Sequence, residues 1–239
     1  MRILKSVTLI AAVAVAFLAL SASSFASPMG TLSISNCSGG ALSFNGSSLQ
    51  FLPVGSVAGT GCINSQAGTN VTSTFGPLSS GATGDITDLT LLFSPGTDFM
   101  KFGGLDFKLT GFSTPSAPTS GTNCAAGPGT SCIISASTFP FLLTSTPGGF
   151  SIGLKATGTV TDASGTSDWS GAFTSQIAGG TASSFQTDIL AAVPETFTYS
   201  GTFMVTPQTA PSVPEPASLM LLGSGLSALA FGIRRKLRK

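Results

Sequence analysis

Histidine is absent from this chain of 239 residues, and charge is scarce. Only 8% of residues are charged, against about 25% in ordinary soluble domains. Without histidine the chain lacks the usual general base and the commonest metal ligand. That excludes a Ser-His-Asp hydrolase, a Cys-His protease and a histidine-ligated zinc enzyme. Tryptophan and tyrosine occur once each, as Trp169 and Tyr199. A sugar-stacking face, which favours flat aromatics with a polar edge, has few residues to draw on. The four cysteines form no Cys-x-x-Cys motif, which argues against a redox pair or a cysteine zinc site. There is no basic patch for nucleic acid, and no cofactor or metal is expected.

The few charges are unevenly placed. Arg2 and Lys5 stand at the N-terminal tip, and Arg234, Arg235, Lys236, Arg238 and Lys239 at the C-terminal tip. Only Lys101, Lys108 and Lys155 lie between, together with all nine acids. The formal charge of +1 averages an acidic middle and two basic tips. At the N-terminus, Arg2 and Lys5 precede an apolar run from Val7 to Leu20, and Ser24-Phe25-Ala26 follows. That order reads as a secretory signal peptide over residues 1–26, cleaved before Ser27. At the C-terminus, Pro214-Glu215-Pro216 precedes an apolar stretch from Ala217 to Ile233 and then the basic cluster. A helix over that stretch would be about 25 Å long, a minimal membrane span. The basic cluster would then serve as a stop-transfer tail on the cytoplasmic side.

Pro214-Glu215-Pro216, the short apolar span and the basic tail, in that order, resemble the PEP-CTERM sorting signal of Gram-negative bacteria. The resemblance covers only the C-terminal segment, residues 212–239. It implies recognition of Pro214, Glu215 and Pro216 by an exosortase, a membrane transpeptidase-like protease. It also implies transient anchorage in the inner membrane, then release to the cell surface or extracellular matrix. Association with exopolysaccharide or biofilm follows from the same resemblance. Those three residues would be a recognition site on a substrate and not a catalytic one.

Residues 27–211 read as one β-rich extracytoplasmic domain. Phe150, Ile152, Leu154, Ala156 and Val160 alternate with Ser151, Lys155, Thr157, Thr159 and Thr161. Trp169, Phe173 and Ile177 share one face of a second run, and Phe197, Tyr199, Phe203 and Val205 one face of a third. Period-two patterns mark strands with one buried face. Further strands are expected at Thr31–Ser35, Ala41–Phe44, Ser48–Leu52, Asn70–Phe75, Ile86–Phe93, Gly104–Gly111, Cys132–Phe139 and Ser183–Leu190. Asn45-Gly46 predicts a hairpin turn. Ser56–Gly68 and Ser113–Ser131 read as loops. Roughly ten short strands imply a sandwich or a barrel. The expected fold is all-β, a single β-sandwich or jelly-roll-like domain between a signal peptide and a C-terminal transmembrane helix.

All four cysteines, Cys37, Cys62, Cys124 and Cys132, lie in the exported part, where disulfides persist. Four cysteines allow three connectivities. Proximity in sequence favours Cys37–Cys62 and Cys124–Cys132. Asp85, Asp162 and Asp168 stand beside Gly or Ser, as turn acids do. Asp85-Ile-Thr-Asp88 lacks the ligand spacing of a calcium loop. Nothing marks a lysine as an activating base. Trp169 and Tyr199 share strand faces with phenylalanines and read as core. Asn36, Asn45 and Asn70 match the N-glycosylation pattern, which is incidental in a bacterial protein. The expectation is a non-enzymatic exported protein of the cell surface or matrix. The alternatives are a carbohydrate-binding module for the matrix polysaccharide and, less well supported, a glycosidase-like enzyme.

Overall fold

The alternation of apolar and hydroxyl side chains is realised as two long strands in the computed structural model, which describes residues 27–208 other than 91 and 135–138, together with Gly223 and Ser224. Strand β11 is Gly149–Asp162 and strand β12 is Gly165–Ala178, each of 14 residues. They pair antiparallel along their whole length. Phe150, Ile152, Leu154, Ala156 and Val160 point inward from β11, and Trp169 and Phe173 from β12. Ser, Thr and Gln occupy most outward positions.

Each long strand then takes a second partner. Strand β8 (Leu105–Ser113) pairs with β11, and β14 (Ser200–Pro207) pairs with β12. From β14 the ladder continues through β1 (Gly30–Asn36), β4 (Thr60–Ser65), β5 (Thr83–Thr87) and β7 (Thr97–Phe102) back to β8. The result is a closed antiparallel barrel of eight strands. This corrects the expected sandwich or jelly roll. Period two demands one buried face, and a sandwich and a barrel both provide it. What separates them is whether the pairing has edges, and closure removes them.

Local geometry helps the sheet close. The β8–β11 register shifts between Thr157 and Gly158, and such a bulge bends a strand and raises its twist. Gly158 faces inward, and a Cβ there would lie 1.8 Å from the Lys108 carbonyl oxygen and 2.7 Å from the Trp169 ring. Only glycine permits that approach. Trp169 fills the space, with Phe99, Phe107 and Phe203 around it at ring-centroid distances of 6.1, 6.2 and 5.4 Å.

Two short strands, β9 (Ser131–Ile133) and β10 (Leu142–Thr146), extend the sheet from β11. A second sheet comprises β13 (Glu195–Phe197), β2 (Ala41–Phe44), β3 (Ser48–Leu52) and β6 (Leu89–Thr90). It shares the barrel's core. Gly61 of β4 faces inward like Ile63, and a Cβ on it would meet the Phe51 Cβ at 2.2 Å. The Phe51 ring contacts Phe99, Phe173 and Tyr199. The β2–β3 hairpin turns at Asn45-Gly46, with Gly46 at φ +82°.

Several expected elements differ. Ser183–Leu190 is not a strand but part of helix α1, Ala182–Leu190. Thr181 caps it, and Ala182, Phe185 and Ile189 are its buried stripe, a 3.6-residue spacing. Thr60–Ser65, inside the expected loop 56–68, is a central barrel strand. Asn70–Phe75 is a loop with a single bridge, Met29 to Thr72. Among the described residues no helix is long and apolar enough to cross a membrane. The stretch expected to span one, 217–233, lies outside the described residues save for Gly223 and Ser224.

Candidate functional site

The two ends of the barrel's chain meet at one pole. Pro207, near the end of the last strand, is the ladder partner of Ser167. Ser167 is fully buried, and its hydroxyl donates to the Pro28 carbonyl. One side chain thus stands between the start and the end of the barrel's chain. The same pole carries the β11–β12 hairpin tip, held by Asp162. Its Oδ1 accepts from the backbone N–H groups of Ser164 (2.7 Å) and Gly165 (3.2 Å) and from the Ser164 hydroxyl. Its Oδ2 accepts from the N–H (2.8 Å) and hydroxyl (2.9 Å) of Thr74.

Burial pushes the Asp162 carboxyl up, but the hydrogen bonds from Ser164 and Thr74 outweigh it and hold its pKa at about 2. A depressed carboxyl stabilises the fold above its unfolded pKa, and the contribution is lost as pH falls through the folded value. The stability difference between the wild type and Asp162→Asn is therefore expected to shrink as pH drops from 5 towards 2. Asp88 and Glu195 shift the other way, so the comparison with the variant is what isolates Asp162. Thermal melts of both proteins across that range check it. A constant difference would exclude the carboxylate as the source.

The other acids are engaged locally. Asp85 is not a turn acid: it lies within β5 and accepts from the backbone (2.7 Å) and hydroxyl of Ser56. Asp88 accepts from the Phe51 N–H at 2.7 Å, and burial raises its carboxyl despite that bond. Asp168 is not a turn acid either: it sits on the outer face of β12 and accepts from Gln208 at 2.8 Å. Asp106 pairs with Lys101 at 3.2 Å, and Asp98 with Lys108 at 3.8 Å, both at the surface, where such pairs contribute little. Burial and then the neighbouring Asp188 raise the Glu195 carboxyl. No group of three or more Cys, Asp and Glu side chains converges on a metal-sized site among the described residues.

Cys37 is bonded to Cys62 and Cys124 to Cys132, with Cα–Cα distances of 5.5 and 5.2 Å. Trp169 is 2% exposed and Tyr199 4%. Neither offers a ring to a sugar. The indole N–H donates to the Lys108 and Thr159 carbonyls, both at 3.1 Å. The Tyr199 hydroxyl and Ser175 Oγ are buried without hydrogen-bond partners among the described residues. Burial, then the Asp88 charge, pushes the Tyr199 phenol up, so it stays neutral. Beside these two residues opens a cleft of about 620 Å³, lined by Thr144, Ser151, Thr174, Gln176 and Ser200 among others and by no charged side chain. Among the described residues its polar lining consists of hydroxyl and amide groups. Asn36 and Asn45 use their side chains in local hydrogen bonds, and Asn70 accepts from the Thr31 N–H, 39 residues away.

Nothing in the sequence marks Ser167 as the residue that joins the domain's two ends. Asp162 was readable as a turn acid, but its reach to Thr74, 88 residues away, was not. The sorting residues Pro214, Glu215 and Pro216 and the basic residues Arg234, Arg235, Lys236, Arg238 and Lys239 lie outside the described residues.

The fold thus defines an eight-stranded barrel whose chain enters and leaves at one pole. A family model, the PEP-CTERM protein-sorting motif, matches residues 212–236. The chain therefore carries the motif at the C-terminal position expected of an exosortase substrate, and the motif supports an exported, exosortase-sorted protein. No curated protein matches the chain, and no solved structure does.

Proposed function

We propose that the chain is a display protein: an exported, non-enzymatic barrel that the exosortase system releases to the cell surface or an exopolysaccharide-containing matrix. The sorting motif at 212–236 carries this reading. The non-enzymatic part is supported by what the acids do, since half of the eight in the body hold a turn, a loop or a surface pair. The two disulfides suit an oxidising exterior. After removal of both tips, residues 27–213 hold three lysines against eight acids, a net charge of −5. That mild acidity and a hydroxyl-rich exterior keep the released barrel soluble.

Deleting residues 212–239 is the test. The truncated protein is expected to be exported and folded but lost from the cell-surface and matrix fractions. Unchanged surface retention would sink the proposal. Trp169 and Tyr199 no longer support the carbohydrate-binding alternative, because both are core.

A further inference from the structure

The pole that receives both ends of the chain also presents apolar side chains to solvent. Phe75 is 63% exposed and Met29 48%. Phe75 is the one aromatic among the large exposed hydrophobic residues of the described region. Its placement is fixed by independent contacts. Thr74 is bonded to Asp162 at the hairpin tip. The Phe75 ring lies over Gly104, in the β7–β8 turn, where a Cβ would meet it at 2.5 Å. Met29 bridges Thr72 in the same loop. The Asp106–Thr161 and Leu105–Phe102 pairings put that turn at the hairpin end of β11.

Chain length limits how far this pole can stray from the sorting motif. Six residues, 208–213, separate Pro207 from Pro214. Fully extended they reach about 20 Å. A strand of 14 residues, such as β12, is about 45 Å long. The opposite pole, beyond Ala178 at α1, is therefore farther from Pro207 than those six residues can span.

We infer that this pole is a lipid-docking surface: while the motif awaits processing, Phe75 and Met29 rest in the headgroup–acyl boundary of the bilayer. The inference rests on the proposed sorting role, because exosortase processing occurs at a membrane. An exposed phenylalanine and an unbranched thioether on a weakly charged, hydroxyl-rich pole suit an interface better than bulk water. Asp162 keeps its negative charge but both its oxygens are taken by five donors within the protein, and Asp106 is paired with Lys101, so neither carboxylate depends on bulk water for its hydrogen bonds.

The test uses the full chain in phosphatidylcholine nanodiscs, with and without brominated acyl chains, which quench nearby tryptophan. Phe75→Trp places a reporter at the docking pole. Leu190→Trp, at the exposed end of α1, places one at the other. Both sites are exposed, and the emission of buried Trp169 reports that each variant is folded. Bromolipid is expected to lower the added emission of Phe75→Trp by about twofold or more and to leave Leu190→Trp unchanged. Met29→Ser in the Phe75→Trp background is expected to weaken the quenching. Equal quenching of both reporters, or of neither, on a chain that stays with the nanodisc overturns the docking pole but leaves sorting intact. A chain that does not stay with the nanodisc at all overturns the sorting role and the docking with it.

Discussion

Truncating Trp169 to alanine is expected to destabilise the barrel by about 3–5 kcal/mol. The indole is 2% exposed and sits among Phe99, Phe107 and Phe203. Its loss leaves a large cavity at the centre of a closed sheet, where strands paired on both sides cannot collapse to fill it. The indole N–H also holds the Lys108 and Thr159 carbonyls, one on each of the two strands that bulge at Gly158. Trp169→Phe keeps most of the apolar volume but removes that donor, and is expected to cost about 1–2 kcal/mol more than volume alone predicts. Urea unfolding checks both, through a lower midpoint at unchanged slope. A Trp169→Ala protein as stable as the wild type, with glycan retention lost, would return the residue to the carbohydrate-binding reading.

Trp169 also illustrates what the sequence discloses. Its burial was legible because Phe173 and Ile177 share its alternation, and β11, β12 and β14 were legible for the same reason. Alternation reports one strand at a time, however. Barrel closure depends on which strands pair at their far sides, a long-range register that no local pattern carries. The missed strand Thr60–Ser65 shows a second limit. Its inward positions are Gly61, Ile63 and Ser65, so a single large apolar side chain marks a central strand. The inward glycine is required there, because Phe51 of the second sheet occupies the place of a side chain. In Thr97–Phe102 the bulge puts Phe99 and Met100 both in the core, which breaks period two. Helix α1 shows only Ala182, Phe185 and Ile189 as its stripe, too short a run to stand out. For function the balance reverses. The sorting motif is linear, so it is readable in sequence, whereas the pole at Ser167 exists only through pairings between distant residues.

Replacing Cys37 and Cys62 together with alanine is expected to cost about 3.5 kcal/mol, the chain-entropy value for a loop of their 25-residue separation. The shorter Cys124–Cys132 loop, with a separation of 8, gives about 2.5 kcal/mol by the same relation. The larger effect also has a structural reason. The Cys37–Cys62 loop contains the whole β2–β3 hairpin, and the bridge ties the end of β1 to β4, beside the Cys37 N–H bond to the Cys62 carbonyl at 3.2 Å. Without it, the hairpin that delivers Phe51 to the barrel core is held by packing, by its pairings with β13 and β6 and by the Asp88 bond to the Phe51 N–H. For a domain of this size the loss corresponds to a melting temperature lower by about 7–14 °C. The two bridges close separate loops, so reducing both should add to about 6 kcal/mol, much of the stability of an ordinary domain. Thermal melts of the double-alanine variant and of the reduced wild type measure this, and thiol labelling of the unreduced protein should find no free cysteine. A double-alanine variant within about 1 kcal/mol of the wild type would mean that residual structure already confines the unfolded chain between the two positions, so that the bridge adds no chain-entropy constraint of its own.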